Sequence, residues 1–367
     1  MSKCRKEREH PVTTFTVTDC GNDRQLQDFV NRATDGDTIT FACSGTITLT
    51  STLNIKGKGV STAGLTLDGN GEAVVLDGDK QVGVFRVEDM VLSLKGLTII
   101  NGRAERGGGL FNTGGKVSIT NCTFRGNTAQ HGGGLFNREG KVSITNGTFS
   151  DNETAGSGGG LYNQKGEMSL SRCTFSGNTA QHGGGLGNES PGRVTITNCT
   201  VCGNTARGWG GGFSNNFGCD ATISFSTFVN NTASVAGGLT TGYPPLRITA
   251  TIVANNTAQF SKQQNGSGKM TSLGFNLESG DDCDFTPMPT DQHNLDPALD
   301  PVGLQNNGGP TQTIALQPGS PAIGAVTDTT LCPGTDQRGW LRPAGIIPCD
   351  IGAYQSSYLP PPAPPSP

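Results

Sequence analysis

Residues 107–131 read GGGLFNTGGKVSITNCTFRGNTAQH, and residues 132–157 read GGGLFNREGKVSITNGTFSDNETAGS. The block returns as GGGLYNQKGEMSLSRCTFSGNTAQH from Gly158 and as GGGLGNESPGRVTITNCTVCGNTARGW from Gly183. Degraded copies start at Gly210 and Ala236. The glycine triplets begin at 107, 132, 158, 183 and 210, so the spacing stays between 25 and 27 residues. A period in that range marks stacked units, none of which can bury its apolar face alone.

Inside one block the apolar spacing is that of strands. Leu110, Val117, Ile119, Cys122 and Phe124 are the apolar positions, with Ser118, Thr120 and Thr123 between them. Short alternation rich in Val, Ile, Thr and Phe predicts strands. Each repeat holds three such runs, GGGLFN, KVSIT and CTF, separated by Asn, Gly and Lys positions suited to turns. No intervening stretch has the length or period of a helix. The expected fold is therefore all-β: a right-handed parallel β-helix with coils of about 25 residues and three short strands per coil. Equivalent strands of successive coils would pair at ~4.8 Å.

Stacking turns sequence columns into ladders. Leu94, Ile119, Ile144, Leu170, Ile196, Ile223 and Ile248 form one inward column. Ile99, Phe124, Phe149, Phe175, Val201, Phe228 and Val253 form a second. Each such buried side chain contributes roughly 1.5–3 kcal/mol. Asn127, Asn152, Asn178, Asn204, Asn231 and Asn256 read as a turn column, where asparagine tolerates left-handed backbone and its amide bonds to neighbours above and below. Asn112, Asn137, Asn163, Asn188 and Asn215 predict another ladder.

Around this core the chain divides unevenly. Residues 1–18 begin with the charged tail MSKCRKEREH, 19–90 form an N-terminal cap and irregular first coils, and 91–260 hold the regular repeats. Residues 261–359 read as an irregular C-terminal cap, and 360–367 as a Pro-rich, polyproline-like tail. A stack leaves its end strands unpaired. A short helix capped by Asn22 or Asp23 and running through Ala33, with Leu26, Phe29 and Val30 on one face, is the expected lid over the first coil.

The 56 glycines and 6% aromatics suit tight turns and thin coils. Lys plus Arg total 26 against 30 acids, for a net charge of −4, which argues against a nucleic-acid partner. No apolar run approaches the ~20 residues of a membrane span. Of the eleven cysteines, Cys122, Cys173 and Cys199 share an inward column with Gly147, Ser226 and Thr251 and read as small buried hydrophobes. Cys20 with Cys43, and Cys332 with Cys349, lie outside the repeats and are the candidate disulfides. Oxidised pairs imply work outside the cytosol. The polar opening shows no secretory leader. Extracellular or cell-surface residence is nevertheless the expectation, with the protein acting as a monomer.

The order LQDFVNRATDGDTITF, GTITLTSTLNIKGKG, LTLDGNG, VFRV, LSLKGLTIINGRAERGGGLFN resembles secreted bacterial β-helix proteins with a CSLREA-type N-terminal segment. NNGGPTQTIALQPGSPAIGA, TDQRGWLRP and DIGAYQ resemble the choice-of-anchor Q module of the same proteins. The pairing of GGGL with F-x-x-N, as in Phe124 to Asn127, is similar to the repeat of chlamydial polymorphic outer-membrane proteins. These resemblances imply a surface-exposed or secreted protein of largely undefined activity, with adhesion the best-studied role among the outer-membrane relatives. With no converging acids on a regular face, the expected function is non-catalytic adhesion or surface display, with host or matrix glycans or surface proteins as partners.

A carbohydrate-active enzyme or glycan binder is the alternative. Hydrolysis needs two or three converging carboxylates, and a lyase needs an acidic calcium cluster with a base. Asp151, Glu153, Glu139, Glu167 and Glu189 fall in turns without sharing a column. Asp68, Asp77, Asp79, Glu88 and Asp89 are the densest acidic group, and loop solvation is their reading. Asp281, Asp282 and Asp284 lie in the irregular region around Cys283, where calcium stays an open alternative that no pattern supports; the expectation is neither metal nor cofactor. The place to look for a sugar contact is a variable turn edge formed by Arg106, His131, His182 and Trp209, with Ser157 in the same column. His131 and His182 stand two coils apart, at ~10 Å, too far for one metal. The files Ser118/Thr120, Ser143/Thr145, Ser169/Ser171, Thr195/Thr197 and Thr222/Ser224 add a minor alternative, an ice-binding face.

Overall fold

The computed structural model describes residues 12–56, 63–286, 288–343 and 345–357. Most of the N-terminal tail and the Pro-rich tail at 360–367 lie outside the described residues. The repeats wind into a parallel β-helix. Its first sheet has eleven strands, from Thr14–Val17 to Met270–Ser272, and includes Lys116–Thr120. The second has nine, from Leu53–Lys56 to Gly266–Ser267, and includes Leu110–Thr113. The third has ten, from Gly45–Thr48 to Leu277–Glu278, and includes Thr123–Arg125.

Register follows the repeat, with Lys116–Thr120 opposite Lys141–Thr145 and Phe124 opposite Phe149 and, one coil on, Phe175. Both inward columns are buried throughout. The phenylalanines stack face to face, with ring centroids 4.8 Å apart for Phe124–Phe149 and 5.0 Å for Phe149–Phe175. The glycine triplet follows from close approach: a Cβ on Gly109 would lie 2.6 Å from the carbonyl oxygen of Gly134 in the next coil.

Four features depart from the sequence reading. First, the regular coils carry four strands, not three. Thr128–Ala129 and its equivalents through Thr257–Ala258 build a fourth sheet of six two-residue strands. Two residues are too few for alternation to register as a pattern. Second, Thr14–Val17 pairs with Thr38–Phe41, so a strand occupies the end of the segment read as tail.

Third, the asparagine ladders are buried, and their own backbone is not left-handed. Asn127 Nδ2 donates to Asn152 Oδ1 at 3.0 Å, and the chain of amides continues to Asn256 and Asn265. Each amide also serves the backbone, as where Asn127 Nδ2 donates to the Ile99 carbonyl at 3.1 Å. The positive φ falls on the preceding residue: Gly126, Asp151, Gly177, Gly203, Asn230 and Asn255. That residue turns the chain so that the asparagine can point inward.

Fourth, only the first part of the C-terminal segment continues the stack, where Met270 bridges to Phe285 and Leu277 to Gln292. From about residue 296 it folds back along the outer face of the third sheet. Thr174 Oγ1 donates to the Gln312 carbonyl and Thr200 Oγ1 to Gln337 Oε1, each at 2.6 Å, and Thr227 Oγ1 accepts from Ala353 N at 3.1 Å. Ile314, Leu316, Ile323, Val326 and Ile351 pack there against Phe225, Val229 and Ile252. Arg338 is buried in an ion pair with Asp336 at 2.7 Å, its guanidinium 4.2 Å from the Trp340 ring and 3.8 Å from that of Tyr354. Burial pushes Arg342 down to about 10, while its guanidinium donates to the Asp350 and Gly352 carbonyls.

At the other end, α1 (Arg24–Arg32) covers the first coil, with Leu26 and Val30 buried and Phe29 stacked 5.1 Å from Phe15. Asp23 stands at its N-cap position, yet its carboxylate accepts from Thr50 N and Thr50 Oγ1 at 2.7 and 2.8 Å. Asn22 Oδ1 takes the N–H of Arg24. The disulfide Cys20–Cys43 lies beside this helix, and Cys332–Cys349 lies within the folded-back segment.

Candidate functional site

The outward positions of the second sheet change character along the stack. Pairing places Arg86, Phe111, Phe136, Tyr162, Gly187, Ser214, Thr240 and Ser267 in one column. Phe111, Phe136 and Tyr162 form their own buried aromatic cluster, with centroids 5.4 and 5.0 Å apart. Those rings fill the groove between the sheet and its turn edge. At Gly187 the filling stops, and small polar residues follow.

The consequence is a cleft of about 580 Å³ over the later coils. Its floor carries Ser214, Thr240 and Ser267, and Asn216 stands at one side. Trp209 on the turn edge is 53% exposed and Phe217 on the opposite rim is 75% exposed. An adjoining hollow of about 550 Å³ shares Phe217, Thr241 and Gly242 and adds Tyr243, 72% exposed, and Lys269. Hydroxyls and amides between exposed rings suit a ligand with apolar faces and many hydroxyls. Among the described residues lining the main cleft, Glu189 is the only carboxylate, and it accepts from Gln164 Nε2 at 3.1 Å.

The turn-edge residues form one line but do not share one site. Arg106 bridges to His131, Ser157 to His182, and Trp209 to Val235 in successive coils. Arg106 lines a separate small hollow beside Arg86 and Phe111. His131 stacks on Tyr162 at 5.6 Å, on the filled side. His182 stacks on Trp209 at 4.6 Å, and its Nδ1 accepts the Trp209 backbone N–H at 3.3 Å. Burial pushes His182 below the usual histidine value, so the neutral ring that accepts this bond is favoured. His182 therefore positions the indole and Trp209 faces the cleft.

Phe217 and Tyr243 are the contributors that periodicity hid. Phe217 sits in the turn Asn215–Ala221, one residue longer than Asn112–Val117, and Tyr243 in TGYPPLR. The extra residue beside Phe217, and aromatic rings in otherwise polar turns, were the available signal.

The acidic residues of the N-terminal coils do not converge. Asp68 pairs with Lys95 at 3.5 Å in the first sheet, and Glu88 with Lys56 at 3.3 Å in the second. Asp77 in the third accepts from Asp79 N and Asn101 Nδ2. The Ser/Thr files do lie outward on the first sheet, bordered by a charged file in which Lys141 meets Glu167 at 2.7 Å and Arg193 meets Asp220 at 3.6 Å, and Arg247 ends one file opposite Thr222.

A family model for the right handed beta helix region matches residues 53–265. The chain belongs to the right-handed β-helix family. Among solved structures this family member is similar to the crystal structure of pectate lyase Pel9A, with a TM-score of 0.53 and 15% identity over 93% of this chain and 96% of that one. That likeness establishes the fold alone. A mannuronic acid specific polysaccharide family 6 lyase from human gut microbiota aligns at 12% identity over 77% of this chain and 91% of that one, but its TM-score of 0.26 carries no argument. No curated protein matches the chain. Among the described residues no helix is long and apolar enough to cross a membrane.

Proposed function

We propose that this β-helix binds a glycan in the cleft between Trp209 and Phe217 and does not cleave it. One observation carries the reading: the outward column of the second sheet passes from Tyr162 to Gly187, Ser214, Thr240 and Ser267. That change leaves a hydroxyl-lined cleft rimmed by exposed rings. Sugar rings stack their C–H faces on such aromatics while their hydroxyls bond to the floor. A lone Glu189 lacks the second carboxylate or base that chain cleavage requires.

Adhesion or surface display is the use of such binding that the sequence resemblances support. The disulfides Cys20–Cys43 and Cys332–Cys349 favour an oxidising, extracellular setting.

The test is titration of the purified chain with pectins, alginates and glycosaminoglycans. Pectate comes first, because one similar solved structure is that of a pectate lyase. Trp209→Ala should lower affinity by at least about 30-fold, the loss of a central aromatic contact. Turnover of any of these polymers, or equal binding by Trp209→Ala, would overturn the reading.

A further inference from the structure

The last strand of the third sheet, Leu277–Glu278, brings a mixed set of donor atoms together at the C-terminal end of the coils. Glu278 is 1% exposed, and its Oε1 lies 3.1 Å from His293 Nδ1. Asp281 Oδ1 lies 3.4 Å from the same nitrogen. The three donor atoms are within 4.8 Å of one another. Bonds of about 2.0–2.2 Å at tetrahedral angles set ligand atoms about 3.3–3.6 Å apart, close to these spacings.

We propose that Glu278, Asp281 and His293 form a divalent metal site of the zinc type, with the fourth position open to water. One imidazole nitrogen with two carboxylates favours Zn²⁺ over the all-oxygen coordination that calcium prefers. Second-layer contacts already orient the buried ligand. Glu278 Oε2 accepts the Cys283 N–H at 3.2 Å, which leaves Oε1 turned toward His293. Asp281 is 72% exposed and His293 33%, so an ion and its water have a way in.

The neighbouring group of Glu278, Asp282 and Cys283 is the weaker centre. The Asp282 carboxylate is already engaged by the backbone N–H groups of Gln264 and Asn265, and Cys283 is fully buried. Three carboxylates crowd this end of the stack with one histidine among them, an arrangement a divalent cation neutralises. Bound metal would tie the last strand to the segment after it, beside the bridge from Leu277 to Gln292 that already joins them.

Calorimetric titration of the full chain with Zn²⁺, after treatment with a chelator, tests the site. A single site is expected, with a rise in melting temperature that excess chelator reverses. His293→Ala and the exposed variant Asp281→Asn should each weaken binding about 10-fold or more, with unchanged far-UV circular dichroism. Co²⁺ should give a tetrahedral d–d spectrum free of thiolate charge transfer. Binding retained in both variants, absence of binding in the wild type, or a thiolate band that names Cys283 would each overturn the assignment.

Discussion

The coils from Gly107 to Ala258 and the segment from 296 to 357 lie against each other yet are held by different physics. The coils repeat one apolar solution: Phe124, Phe149 and Phe175 stack at 4.8 and 5.0 Å while buried asparagines chain their amides alongside. The folded-back segment repeats nothing. It is fixed by single-use polar contacts, with Gln337 reaching Thr174, Thr200 and Thr311, and with Arg338 closed between two rings. Dispersion and burial tolerate variation along a column, which is how Val201 replaces phenylalanine. A buried guanidinium or amide does not, because each unmet donor carries its full desolvation cost.

The largest break in that comparison comes from the stack. Phe175→Ala should cost roughly 3–5 kcal/mol, read as a lowered midpoint in denaturant for the whole chain, because the cavity opens mid-column. Wild-type stability in this variant would refute column packing as the main support.

An intermediate effect is expected at the contact between the two regions. Gln337→Ala leaves the Thr200 hydroxyl without its acceptor and takes one of two partners from both the Thr174 hydroxyl and the Cys173 carbonyl. The cost should be about 1–3 kcal/mol. It should appear as earlier proteolysis within 296–357 while the coils stay protected. Simultaneous cleavage of both regions would show that they unfold as one unit.

The smallest effect belongs to the N-terminal lid. Burial pushes the Asp23 carboxyl up, but hydrogen bonds from the backbone and hydroxyl of Thr50 outweigh it and hold the group below the usual carboxylate range. With the folded value below the unfolded one, its contribution is complete above about pH 4 and is lost as pH falls through the folded value. Asp23→Asn should therefore narrow the gap in melting temperature between pH 7 and the acid limb. An unchanged acid profile would remove Asp23 from the pinning of α1.

The legibility of each feature follows its physical origin. Ile119, Ile144 and Leu170 were readable as one column because successive coils place equivalent residues in contact. Asn127 and Asn152 were readable as a ladder, but their burial was not, since an asparagine beside glycine also suits an exposed turn. Trp209 and His182 were readable as one edge, and their division of labour required the 4.6 Å stack between the rings. Phe217 and Tyr243 were missed because they occur once, outside the period. Glu278 and His293 were missed as partners because 15 residues of irregular chain separate them and no spacing rule connects them.

The sequence by itself determined the winding, the register and the two apolar columns, because a repeat translates directly into contact between neighbours in a stack. It also marked Cys20, Cys43, Cys332 and Cys349 as standing apart from that repeat. Only the tertiary structure decided where the C-terminal segment lies, how the aromatic filling of the second sheet ends at Gly187, and which rings face the open cleft. These depend on contacts between residues far apart in the chain, such as Thr200 with Gln337, whose energy comes from geometry that no local pattern encodes.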